Sequence, residues 1–97
     1  MRGQAIIKVL VINPRDNVAL ALSDICARQH VLAEVEGKTQ IISARQHIPK
    51  GHKIALTRIP KGKTIVKYGE VIGYAKENIL EGEHVHLHNT LGRDEMT

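Results

Sequence analysis

Neither Phe nor Trp occurs anywhere in the sequence, and Tyr68 and Tyr74 are its only aromatic residues besides histidine. Two tyrosines in one short segment offer no platform on which bases could stack, which argues against a nucleic-acid binder despite an isoelectric point near 9.5. Helix-turn-helix and zinc-finger spacings are absent as well. There is one cysteine, Cys26, so an internal disulfide framework and a Cys/His zinc quartet are both excluded. Flanked by Ile25 and Ala27, it reads as a small buried hydrophobe in a reducing compartment. The apolar run at residues 5–12 is short and broken by Lys8, too little for a membrane span, and no cleavage-like region follows it. The expectation is a cytoplasmic protein. Acids are also missing locally: no Asp or Glu lies between Gly37 and Gly69, while Lys38, Arg45, Lys50, Lys53, Arg58, Lys61, Lys63 and Lys67 all do. Such a one-sign block faces an anionic partner, a carboxylate substrate or an acidic protein surface, or else is a set of solvated turn lysines.

What is present is aliphatic. With 97 residues, 42% apolar and 25% charged, the chain has the composition of one globular domain. Its abundant Ile and Val favour strands. Residues 5–12 read as a first strand, closed by the turn Asn13-Pro14-Arg15-Asp16-Asn17. Val18–Leu22 reads as a second, with Ser23-Asp24 able to cap a short helical turn. Val31–Ser43 has the form of a hairpin around Glu36-Gly37-Lys38.

Two repeats stand out. Ala-Arg-Gln-His occurs at 27–30 and again at 44–47, with no evident physical use. Ile48-Pro49-Lys50-Gly51-His52-Lys53-Ile54 is echoed by Ile59-Pro60-Lys61-Gly62-Lys63-Thr64-Ile65 and, more loosely, by Ile79-Leu80-Glu81-Gly82-Glu83-His84-Val85. Each copy is an anchoring Ile, a turn closed by Gly, then a strand. Their uneven spacing argues for folded-over hairpins, an all-β fold of many short strands, and against a solenoid. The domain core is expected at about 5–90, with 91–97 a polar tail or linker stub.

The chemistry concentrates in Gly82-Glu83-His84-Val85-His86-Leu87-His88-Asn89, which holds three of the six histidines. As a strand it presents all three imidazoles on one face. His84 and His88 would then stand about 13 Å apart, too far to share an ion, so one adjacent pair is the limit. His86 with His88 is the preferred pair, and His52 is the best in-chain third ligand. The other reading, an exposed polar edge strand, stays open at this point. No Gly-rich phosphate loop and no Ser/His/Asp arrangement can be assigned.

Taken together, Asp16–Leu22, Gly51–Leu56, Ile59–Gly62, Lys67–Ala75 and Gly82–Thr90 resemble, in order and spacing, the SAF domain of the altronate/galactarate dehydratase family. They also resemble the small subunit of the related sulfolactate sulfo-lyase. The resemblance implies a β-clip fold and a part in β-elimination from hydroxy acids, with loss of water from a sugar acid or of sulfite from sulfolactate. It implies a divalent metal, iron or manganese, and a large catalytic lyase subunit as partner, since family members carry a much larger C-terminal region. On that basis His52 and Lys53 are the expected catalytic residues, His86 and His88 the metal ligands, and Lys53 and Asn89 the groups that bind the substrate. The other function class is a non-catalytic module that binds sugar acids or regulates a partner. A homo-oligomer is compatible with either.

Overall fold

The computed structural model describes residues 6–92. Ala5, the start of the first expected strand, and the expected tail beyond Gly92 lie outside the described residues. The all-β expectation holds: nine strands and no helix occur among the described residues, and no helix there is long and apolar enough to cross a membrane. The strands are β1 (Ile7–Leu10), β2 (Val18–Ala21), β3 (His30–Val35), β4 (Lys38–Ser43), β5 (Lys53–Ala55), β6 (Thr64–Lys67), β7 (Glu70–Ala75), β8 (His84–Val85) and β9 (Thr90–Gly92).

Six of them form one sheet in the order β4-β3-β1-β2-β5-β8, and the other three form a second in the order β6-β7-β9. Only β1 and β3 run parallel; the remaining neighbours are antiparallel. The central strands β2 and β5 serve two cores at once. Ala19, Ala21 and Ile54 pack into one with Ile25, Val31 and Ile48, while Val18 and Ala55 turn into the other with Ile59, Ile79 and Val85. Alternate side chains point to opposite faces, so strands buried on both faces read as unbroken apolar runs. That accounts for Val-Ala-Leu-Ala in β2 and for a core that dispenses with aromatics.

The Ile-x-x-Gly repeat is the structural unit. Ile48 bridges to Ile25, and Ile59 bridges to Ile79. In all three copies the residue after Gly donates its N–H to the carbonyl of the residue three before it, at 3.0 Å (His52 to Pro49, Lys63 to Pro60, Glu83 to Leu80). Gly51, Gly62 and Gly82 share φ values of 87°, 86° and 88°, the left-handed region that a side chain disfavours. Asp24 does not cap a helix. Its Oδ1 accepts the N–H of Lys50 at 2.8 Å, and Asn78 Oδ1 does the same for Lys61 at 2.9 Å, so this position anchors the turn of a neighbouring copy. Cys26, expected to be buried, is exposed.

Asn17 splices the two sheets together. Its side chain donates to Thr64 O at 2.9 Å and accepts from Val66 N–H at 2.8 Å. The hairpin between β3 and β4 turns on two residues, Glu36 and Gly37, both at positive φ, and Lys38 already belongs to β4. At the far end β9 takes in Leu91 and Gly92, which pair with Tyr74 and Gly73 of β7.

This architecture yields a paired stability expectation. Ile48 is 0% exposed and Leu87 79%. Urea unfolding of Ile48→Ala should show a loss of about 2–5 kcal/mol, and Leu87→Ala should stay within about 0.5 kcal/mol of the parent chain.

Candidate functional site

The site lies where β5 and β8 run side by side, with Lys53 opposite Val85 and Ile54 opposite His84. His52 precedes β5 in the turn closed by Gly51, and His84 opens β8. Alternation had implied a strand continuing through His88. Instead β8 stops at Val85 and residues 86–89 form a turn. Asn89 ends the ladder: its Oδ1 accepts the N–H of His86 at 3.0 Å, its Nδ2 donates to His84 O at 2.8 Å, and its own N–H donates to His86 O at 3.1 Å. Thr90 Oγ1 donates to His86 O at 2.8 Å. Local side-chain hydrogen bonds of this kind compete with a strand ladder and here replace it.

The bend changes which histidines meet. One ring nitrogen from each of His52, His84 and His86 lies within 4.8 Å of the others, and all three residues are half-buried. His52 Nδ1 and His84 Nε2 are 2.8 Å apart, a hydrogen bond in which one ring donates and the other accepts. The rings of His52 and His86 stack at 3.8 Å between centroids and 11° between planes. His88 is exposed and stands outside this set, its ring 5.0 Å from that of His84. Thus the structure joins His86 to His52, as the sequence suggested, but supplies His84 where His88 was expected.

The environment disfavours the charged form of two of these rings, His84 and His86. Burial, then the neighbouring His88, His52, His86 and His47, depress His84 to about 4. His86 is lowered by burial, then by His52, Lys53 and His88. A neutral imidazole is the ligand form. His86 Nδ1 is buried and has no hydrogen-bond partner among the described residues. An unpaired buried nitrogen costs about 1–3 kcal/mol, which a bond to an ion would offset. The donor type, the clustering of the three nitrogens and the lowered pKa values of His84 and His86 fit a divalent metal. Tetrahedral ligands at about 2.1 Å stand about 3.4 Å apart, so on binding an ion the His52–His84 gap would open by about 0.6 Å, and the His86 ring would turn out of its stack on His52 to aim its nitrogen at the ion.

Lys53 is half-buried beside the cluster, its ammonium pKa lowered by burial and then by Lys67. It lines a cavity of about 250 Å³ together with Ile65, Ile72, Leu87, Thr90 and Leu91. This position suits the carboxylate-binding role expected of it. Asn89 is only 4% exposed, and its carboxamide is turned to the backbone of His84 and His86 and not to the cavity. It shapes the site. The available signal was Asn directly after the last histidine, since Asn readily bonds nearby backbone and starts turns.

A family model described as the altronate/galactarate dehydratase SAF domain matches residues 7–92. The altronate dehydratase of Escherichia coli is 47% identical over 79 residues, which is 81% of this chain and 15% of that protein. The altronate dehydratase of Bacillus subtilis is 44% identical over the same shares. Subunit alpha of the (2R)-sulfolactate sulfo-lyase of Chromohalobacter salexigens is 37% identical over 54 residues, 56% of this chain and 57% of that one. The chain thus spans about 15% of the length of the two altronate dehydratases.

Two measurements test this geometry. Asn89→Ala leaves the His86 N–H and the His84 carbonyl without their partners and should cost about 1–3 kcal/mol in urea unfolding. In the metal-free protein, the NMR titration of His84 should fall near pH 4. The unfolded chain takes up that proton near pH 6.5 and the folded chain only near 4, so between those values the unfolded state holds more protons. Stability is therefore expected to decline as pH falls through this window. A flat profile, or a His84 titrating near 6.5, contradicts the cluster.

Proposed function

The chain belongs to the altronate/galactarate dehydratase SAF-domain family, and from that premise we propose that it is the histidine-bearing module of a metal-dependent hydroxy-acid lyase. In this reading it works with a larger catalytic polypeptide, either as a small subunit or as one domain of a longer chain. The relatives are dehydratases and lyases that contain this domain, and one is itself named as a subunit. The observation that carries the proposal is the convergence of His52, His84 and His86.

β-Elimination from a hydroxy acid removes a weakly acidic proton beside a carboxylate and expels a β-substituent, so negative charge builds on oxygen in the transition state. A divalent ion held by His52, His84 and His86 would supply Lewis-acid stabilisation of that charge. The chain's own residues do the rest of its share. Lys53 offers an ammonium for the substrate carboxylate, set beside the cluster by β5. Its partial burial strengthens that contact, because a half-desolvated charge gains more from an opposite one. Leu87 and Ile72 flank the same cavity. The fourth histidine of the group, His88, lies over His84 at the exposed rim. The substrate is altronate, galactarate or sulfolactate, or a hydroxy acid of the same class, and iron or manganese is the expected ion.

The test joins binding to turnover. The chain should bind Fe²⁺ or Co²⁺, and His52→Ala, His84→Ala and His86→Ala should each weaken binding by more than about 100-fold, beyond what outer-shell changes cause. His88→Ala should retain the ion. Reconstituted with a large lyase subunit, the parent chain should support elimination from one of the three acids, and the three ligand variants should not. A chain that binds no divalent ion, or variants that leave ion content and elimination rate intact, would end this reading and favour a non-catalytic binding module.

A further inference from the structure

Beyond the influence of His47 on His84, the duplicated Ala-Arg-Gln-His takes no part in the chemistry above, yet its two copies touch. Arg28 N–H donates to Ala44 O at 2.7 Å, and Ala44 N–H donates to Gln29 O at 2.8 Å. The copies thus lie side by side, but their glutamines differ. Gln29 Oε1 accepts the N–H of Cys26, three residues back, at 3.1 Å and closes its own turn. The residue three before Gln46 is Ser43, which is paired across the hairpin with His30. Gln46 Oε1 reaches elsewhere and accepts the backbone N–H of His84 at 2.9 Å, 38 residues on.

Its neighbour holds the same segment. Arg45 N–H donates to Gly82 O at 2.9 Å, and Arg45 Nε donates to Glu81 O at 2.8 Å. The approach depends on Gly82, because a Cβ there would stand 2.3 Å from Ser43 O. Among the described strands β8 is a two-residue edge strand paired with β5 on one side, and on its other side it meets partners that are not strands. Gln46 takes the N–H of His84 while Asn89 Nδ2 takes its carbonyl, and both backbone polar groups of this histidine are held by side chains. A ligand's position is set by what fixes its backbone and ring, and outer-shell partners of this kind govern metal affinity.

We propose that Arg45 and Gln46 form a clamp that positions His84 within the three-histidine cluster. This rests on the metal reading given above. Gln46 is a positioning residue: it acts on the ion only through His84.

The experiment compares the parent chain with Gln46→Met, which removes the acceptor at similar length, Gln46→Glu, which keeps it, and Gln29→Met, which breaks the equivalent bond in the other copy. Co²⁺ affinity, the visible cobalt spectrum and the hydrogen exchange of the His84 amide in the metal-free chain are read for each. Gln46→Met should bind Co²⁺ about 10-fold more weakly, with shifted cobalt bands and faster His84 exchange. Gln46→Glu should restore all three, and Gln29→Met should leave affinity within about two-fold. If the parent chain binds Co²⁺ and Gln46→Met matches it in affinity, spectrum and exchange, the clamp is overturned and the metal site stands. If the parent chain binds no Co²⁺, the metal reading falls and takes the clamp's role with it.

Discussion

The carboxamide of Asn89 is the constraint on which the candidate site depends. By accepting from His86 N–H and donating to His84 O, it turns the chain immediately after Val85 and prevents the histidine stretch from extending β8. An extended segment would have set the three imidazoles in a row along one face, with neighbouring rings too far apart for a third residue to complete more than one pair. The turn folds the row back on itself. His84 and His86 then converge on His52, and His88 is left at the rim. A single buried polar side chain decides which nitrogens can cooperate.

That turn is useful only because the fold brings His52 to it. The Ile-x-x-Gly unit recurs three times with nearly the same glycine conformation, and each copy delivers the chain into the strand that follows. The copy at 48–51 leads through His52 into β5, and the copy at 79–82 leads into His84 and β8. Since β5 and β8 are hydrogen-bonded neighbours, the two deliver their histidines to one place. Repetition of a structural unit has here produced a convergence of side chains that lie 32 residues apart. The aliphatic composition serves the same end, because β2 and β5 are packed on both faces and small or β-branched side chains fit between two cores.

Much of this was legible in the residues. Short strands, their turns and the repeat could be read from β-branched runs punctuated by Pro and Gly, since these signals are local. The approach of His52 to the histidine stretch was also anticipated. The choice of His84 over His88 was not, because strict alternation is the signature of a strand and nothing in the period itself marks its end. The marker was Asn89, read from sequence as a substrate group, whose bonding to nearby backbone shows only in three dimensions. Asp24 was misjudged for a related reason. It looks like a local helix cap, yet its partner, Lys50 N–H, is 26 residues away. The paired Ala-Arg-Gln-His copies likewise acquire meaning only through contacts between distant segments.

Family membership, a three-histidine cluster and a half-buried lysine beside it support the proposed account, a module that would carry a metal and a carboxylate contact to a larger lyase. Its central claim concerns three nitrogen donors, and anomalous diffraction from a crystal of the chain grown with Co²⁺ tests it most directly. The account requires one anomalous peak about 2.1 Å from a ring nitrogen of each of His52, His84 and His86. A peak held by His86 and His88 without His84, or no peak at these residues, would contradict it.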